Sequence, residues 1–161
     1  MILGLSLVQF TFLHVFLSLV GIGAGIFLVF GLLTSRRLSI LTALFLVTTL
    51  FTSLTGFLYP FTGVTPGIIL GFLSTIVLIV AIVALYVKHL AGIWRSVYVV
   101  TAMLAFYFNF FVLIAQSFDK VPTLKAAAPT MESPVFGITQ IALLVIFILL
   151  TVRAVKKYNP A

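Results

Sequence analysis

The chain predicts an all-α fold, a polytopic membrane bundle of five transmembrane helices. Two observations carry that expectation. Of the 161 residues, 63% are hydrophobic and only 7% charged, too few polar side chains to cover a water-facing surface, and nearly every charge falls in a gap between long apolar runs. These runs are residues 4–33, 38–60, 66–87, 97–117 and 135–152, each close to the ~20 residues a helix needs to cross ~30 Å of hydrocarbon. Residues 1–161 therefore read as a single integral membrane domain, with 118–133 as the longest segment between spans.

The first span has no basic residue before it and runs too long before its first charge to be a secretory signal, so it reads as a retained helix. At ~100° per residue, Thr11, His14, Ser18, Gly21 and Gly25 share one stripe, and Gly21-x-x-x-Gly25 is a small-xxx-small pattern that lets helices approach closely. The second span spreads Thr48, Thr49, Thr52, Ser53, Thr55, Gly56 and Tyr59 over nearly half its circumference. Thr65-Pro66 opens the third, with a hydroxyl at the N-cap and proline at the first helical position, and Gly67, Gly71, Ser74 and Ala81 align along it. The fourth aligns Tyr98, Ala102, Ala105, Asn109 and Gln116. Ser133-Pro134 repeats the cap pattern before the fifth, where Ser133, Gly137 and Gln140 align. Every span thus carries a small or polar stripe for another helix, within the chain or in a partner; Ser18, Gly21, Gly25, Gly67, Gly71 and Gly137 are the packing positions. Tyr59, Trp94, Tyr98 and Tyr158 fall near span ends, where amphipathic rings favour the membrane interface. Pro122 and Pro129 prevent one continuous helix through 118–133, leaving room for a short helical turn at 124–128 on the membrane surface.

Nine Lys and Arg against two Asp and Glu give a net charge of +7, which in a soluble protein would raise nucleic acid as a partner; the placement of these charges argues against it. Arg36 and Arg37 follow the first span, Lys88 and Arg95 bracket the turn after the third, and Arg153, Lys156 and Lys157 follow the fifth. With alternating spans these seven fall on one side, cytoplasmic by the positive-inside rule. The expected orientation is N-terminus outside and C-terminus inside, with the uncharged turn at 61–65 and the loop at 118–133 on the outer side. Topology is the first role of these cations. Lys88, His89, Trp94 and Arg95 also form a group able to hold anionic lipid phosphates, and the same lipid-facing reading stands beside topology for Arg36, Arg37, Arg153, Lys156 and Lys157.

Counting ~1.5 Å per residue from each outer end places His14, Thr52, Ser53, Ser74, Asn109 and Gln140 at one level, roughly 9–12 Å deep, with Gln116 above it. This polar layer reads in two ways: as interhelical hydrogen bonds that fix packing, or as an outward-facing pocket for a quinone ring, a lipid headgroup or a small solute. His14 is the ionisable residue expected within the membrane on a packing face, where its imidazole could bond Asn109 or Gln140, move a proton, or ligate haem or another metal. His89 belongs to the opposite surface, so a bis-histidine haem within one chain is not expected. Asp119 and Glu132 stand thirteen positions apart beside Lys120 and Lys125 and read as solvated ion pairs rather than a catalytic carboxylate pair. The chain lacks cysteine, and with it thiolate chemistry and cysteine-ligated clusters. It also shows no phosphate-binding glycine loop, nucleophile triad or HExxH helix. No cofactor is required by the sequence, and no catalytic residue is assigned.

The segments Thr52-Ser53-Leu54-Thr55-Gly56-Phe57 and Gln116-Ser117-Phe118-Asp119-Lys120-Val121-Pro122, in this layout, resemble small multi-pass inner-membrane proteins of bacteria. The resemblance implies a bacterial inner-membrane location and carries no activity. The span count is similar to that of small hydrophobic subunits of respiratory complexes, but the embedded acidic residue of pumping subunits is missing here. Three functions stay open: a non-catalytic accessory or structural subunit of a membrane assembly or homo-oligomer, surrounded by lipid; a quinone- or haem-binding redox protein using the layer around His14; and a small-solute channel or carrier, for which the apolar inner half offers no polar path.

Overall fold

A computed structural model describes residues 1–60, 63 and 65–160. Among these, the regular structure is helical: α1 (Leu7–Thr34), α2 (Ser39–Gly56), α3 (Pro66–Ile82), a π-helical turn (Val83–Val87) that continues α3, α4 (Trp94–Lys120), the short α5 (Pro122–Ala127) and α6 (Pro134–Lys157). Five helices are long and apolar enough to cross a membrane, α3 counting together with its π turn. The chain is thus an integral membrane helical bundle. Of the turn expected at 61–65, Phe61, Thr62 and Val64 lie outside the described residues.

The ends of the helices show where local chemistry departs from the expected spans. α1 starts at a capping box, Ser6 Oγ accepting from the Gln9 N–H while Gln9 Oε1 accepts from the Ser6 N–H, which closes two otherwise orphaned donors. It ends on left-handed Ser35 (φ 57°), with the Arg36 N–H donating back to the Gly31 carbonyl at 2.9 Å, a Schellman-type stop. α2 is shorter than the apolar run 38–60, ending at Gly56. α4 is longer than 97–117 and takes in Asp119 and Lys120; α6 takes in Arg153, Lys156 and Lys157. Thr65 caps α3 as expected, its hydroxyl accepting from the Ile68 N–H. Ser133 does not cap α6 with its side chain: its hydroxyl instead accepts from the Thr130 N–H at 3.2 Å, within the preceding loop. The turn expected at 124–128 is the helix α5, set off from α4 by Val121, whose extended backbone (ψ 116°) is what a residue before proline prefers.

The spans close into a ring in the order α1, α2, α3, α4, α6 and back to α1, with α4 also reaching α2 and α1 across the middle. Lipid is as apolar as leucine, so fit rather than hydrophobicity must hold such helices together. Phe106 of α4 is the hub of that fit. It lies edge-on to Phe45, Phe110 and Phe147 at 5.8, 5.0 and 5.5 Å between ring centroids. Its ring occupies the space over Gly25, where a Cβ would fall 2.4 Å from a ring carbon. One turn away, a Cβ on Gly21 would lie 3.0 Å from the hydroxyls of both Thr48 and Thr49. The Gly21–Gly25 face is therefore filled by the chain's own α2 and α4, not left open for another subunit. Gly71 packs near Phe57, Ser18 is half-buried, Gly67 is exposed, and Gly137 has open space around it. The expectation of interfacial rings also changes for two tyrosines. Tyr98 and Tyr158 are buried, 1% and 3% exposed, and face each other at 5.9 Å inside the bundle end.

Candidate functional site

Two regions hold the polar chemistry, the layer within the spans and the end of the bundle where the basic residues gather. In the layer the expected residues pair off rather than converge. Asn109 Nδ2 donates to Thr49 Oγ1 at 3.1 Å, joining α4 to α2, and Ser53 Oγ lies 3.1 Å from Ser74 Oγ, joining α2 to α3. Gln140 Nε2 donates to the Phe111 carbonyl at 3.1 Å, joining α6 to α4. His14 meets neither Asn109 nor Gln140; its Nδ1 lies 2.8 Å from Thr55 Oγ1, on the neighbouring α2. Thr52 turns back onto its own helix and donates to the Thr48 carbonyl at 2.9 Å, and Gln116 is exposed on α4. Thr48, Thr75, Thr101, Ser117 and Thr151 make the same local bond four residues back. The i−4 carbonyl is the nearest acceptor for a hydroxyl on a helix that has no water around it.

Thr55 Oγ1 also lies 2.7 Å from the Phe51 carbonyl, so this hydroxyl faces both its own helix and the His14 ring. The imidazole is further confined by Tyr59, edge-on at 5.4 Å. A group of three or more His, Cys, Asp or Glu side chains able to hold a metal does not occur among the described residues. His14 supplies the imidazole of the layer, the group on which a haem or quinone role would rest. Gln140 leaves a second loose end: its Oε1 is buried without a hydrogen-bond donor among the described residues.

The basic end is built differently. Here α3 stops in a π turn, the Lys88 N–H reaching back to the Val83 carbonyl and the Leu90 N–H to the Ala84 carbonyl, and the chain then passes through left-handed His89 (φ 48°), Leu90 (φ 60°) and Gly92 (φ 55°). Two successive non-glycine residues in that region are costly, of order 1–3 kcal/mol each, and such conformations cluster where a site must be shaped. The tail after α6 folds back over this loop. The Asn159 N–H donates to Ser35 Oγ at 2.8 Å, and Asn159 Oδ1 accepts from Arg95 Nη1 at 2.9 Å. Between them opens a cavity of about 240 Å³ lined by Arg37, His89, Leu90, Arg95, Asn159 and Pro160. Arg95 also buries its Nε–H without an acceptor among the described residues. Tyr158, just past α6, has its phenol pushed up chiefly by burial, against the opposing influence of the Arg37 guanidinium beside it.

The group expected from sequence, Lys88, His89, Trp94 and Arg95, is divided by this geometry. His89 and Arg95 line the cavity, whereas Lys88 sits over the Trp94 ring at 5.4 Å. Arg37, one of the basic residues expected on this side, and Asn159, which the sequence did not single out, join from distant parts of the chain. At the other end, Asp119 pairs with Lys120 at 2.7 Å and Lys125 at 3.1 Å, all well exposed, the solvated arrangement expected for these charges. No protein-family model, curated protein or solved structure matches this chain.

Proposed function

We propose that this protein is a non-catalytic helical subunit of a membrane assembly. The observation that carries the reading is the engagement of the polar layer inside the chain. Asn109, Ser53, Ser74, His14 and Gln140 each bond to a neighbouring helix, which suits a bundle whose interior serves packing. What it offers to others is its apolar outside. One part of that outside has the form of a helix seat, an open groove of about 210 Å³ between α4 and α6, lined by Val100, Leu104, Tyr107, Leu144, Ile148 and Thr151 among others. Gly137 lies seven residues before Leu144 on the same face of α6, extending the groove with a residue that leaves open space. Small side chains and hydroxyls of this kind favour close helix approach in lipid. The partner on this reading is a transmembrane helix of another subunit, and the assembly sits in a bacterial inner membrane with the basic end cytoplasmic.

Gentle extraction from the native membrane, followed by size separation and mass spectrometry, tests the proposal. A partner protein at fixed stoichiometry, released by Leu144→Trp while the variant stays folded, is the expected result. A homo-oligomer released by the same substitution would make the partner a second copy. A lone chain carrying a Soret band or a quinone that is lost in His14→Ala would overturn the proposal in favour of a redox role for the layer.

A further inference from the structure

We propose that the cavity at the basic end binds a phosphate group, brought to it by an acidic phospholipid. Its lining brings two guanidinium groups and an imidazole together from two separated segments: Arg37 after α1, and His89 and Arg95 at the entry to α4. Like charges repel, so such a gathering needs a counter-charge, and among the described residues no carboxylate side chain stands near it. The chain's two acids are Asp119 and Glu132; Asp119 is already held by two lysines, and both lie at the opposite end of α4 and α6. Asn159 accepts one Arg95 bond as a neutral amide, which leaves the charge uncompensated. The buried Arg95 Nε–H still lacks an acceptor among the described residues. A phosphate oxygen answers both needs, since guanidinium groups pair with phosphate through two parallel N–H bonds.

Lipid is the favoured carrier because of where the cavity sits. Arg95 follows Ile93 by two residues and His89 follows Val87 by two, and these apolar neighbours are 74% and 62% exposed, as residues immersed in lipid would be. A headgroup can therefore reach the cavity while its chains remain in the membrane. Exposed Lys88, stacked on Trp94 beside it, adds charge at the rim.

The test uses the full chain purified in detergent, with phosphatidylglycerol and phosphatidylcholine added together and retention read by native mass spectrometry. Wild-type protein is expected to retain phosphatidylglycerol in preference. Arg37→Gln and Arg95→Gln should each weaken that retention about five-fold, the effect of one basic residue at an anionic surface. Arg36→Gln, which removes an adjacent exposed charge outside the cavity, should leave it unchanged. Arg37→Gln keeps the Arg95–Asn159 bond and so guards against misfolding as the cause. Inorganic phosphate supplies the second arm: a rise in the unfolding temperature of wild type, absent in Arg37→Gln, would make free phosphate the carrier. Equal retention of the two lipids with no effect of phosphate, or equal losses in Arg36→Gln and Arg37→Gln, would overturn the proposal and leave only diffuse surface attraction.

Discussion

Around Asn109 and around Arg95, some 21 Å apart along α4 at 1.5 Å per residue, the bundle meets the problem of polar groups in an apolar setting in opposite ways. The Asn109 level uses side chains able both to donate and to accept, which find one another across α1, α2, α3 and α4 or bond backbone carbonyls, as Gln140 of α6 does at Phe111. The Arg95 level uses guanidinium groups, which can only donate, and their neighbours among the described residues are neutral, Asn159 accepting from Arg95 and the Tyr158 phenol lying beside Arg37. Neutral groups can pair with one another or with backbone carbonyls, and in this layer Gln140 Oε1 alone is left buried without a donor among the described residues. Guanidinium groups cannot do so among themselves, because they donate without accepting, and no carboxylate side chain stands near them among the described residues.

The sharpest way to break this contrast is to attack the fit on which the closed level depends. Gly25→Leu drives a side chain into the Phe106 ring, and a loss of about 3 kcal/mol is expected from overpacking of that severity, read as a lower unfolding temperature in detergent. Unchanged stability would mean that Gly25 faces away from α4. Gly21→Ala meets only two hydroxyls, at 3.0 Å, and about 1 kcal/mol is expected in the same assay. Asn109→Ala removes one interhelical bond and should cost roughly 0.6 kcal/mol, the average for such bonds in a membrane. A double-mutant cycle of Ser53→Ala and Ser74→Ala should give coupling of at most that size, because Ser53 can turn its proton to the Thr49 carbonyl instead. The smallest global effect belongs to the other end. Asn159→Ala should leave overall stability within about 0.5 kcal/mol yet speed amide exchange after α6, because it removes the Oδ1 acceptor that ties the tail to Arg95 Nη1.

The sequence made the five helices legible because an apolar run of membrane length has few alternatives in lipid. It also ranked the layer residues by depth, which follows from counting along a helix. It could not say which of them would meet. His14 had Thr55 as its partner rather than Asn109 or Gln140, a matter of helix rotation that periodicity leaves open. The glycine stripe of α1 was legible as a contact face, but whether the contact was internal turned on Phe106, 81 positions further along the chain. Thr49 belonged to a broad band of hydroxyls with nothing to distinguish it, though it is fully buried and holds Asn109. The basic cavity was half visible: His89 and Arg95 are near in sequence, while Arg37 and Asn159 arrive through the return of the tail.

That return has a consequence for biogenesis. Arg37, His89, Arg95 and Asn159 emerge from the ribosome in that order, and synthesis proceeds from the N-terminus at about 5–20 residues per second. For the several seconds between Arg95 and Asn159, the cavity has only part of its wall, and Ser35 and Arg95 have not met the residue that joins them. The last turn of α6 must be in place before the clasp shuts. Until then Arg95 Nη1 and Ser35 Oγ lack the partner that ties them together in the folded chain, and the cavity stays open on that side.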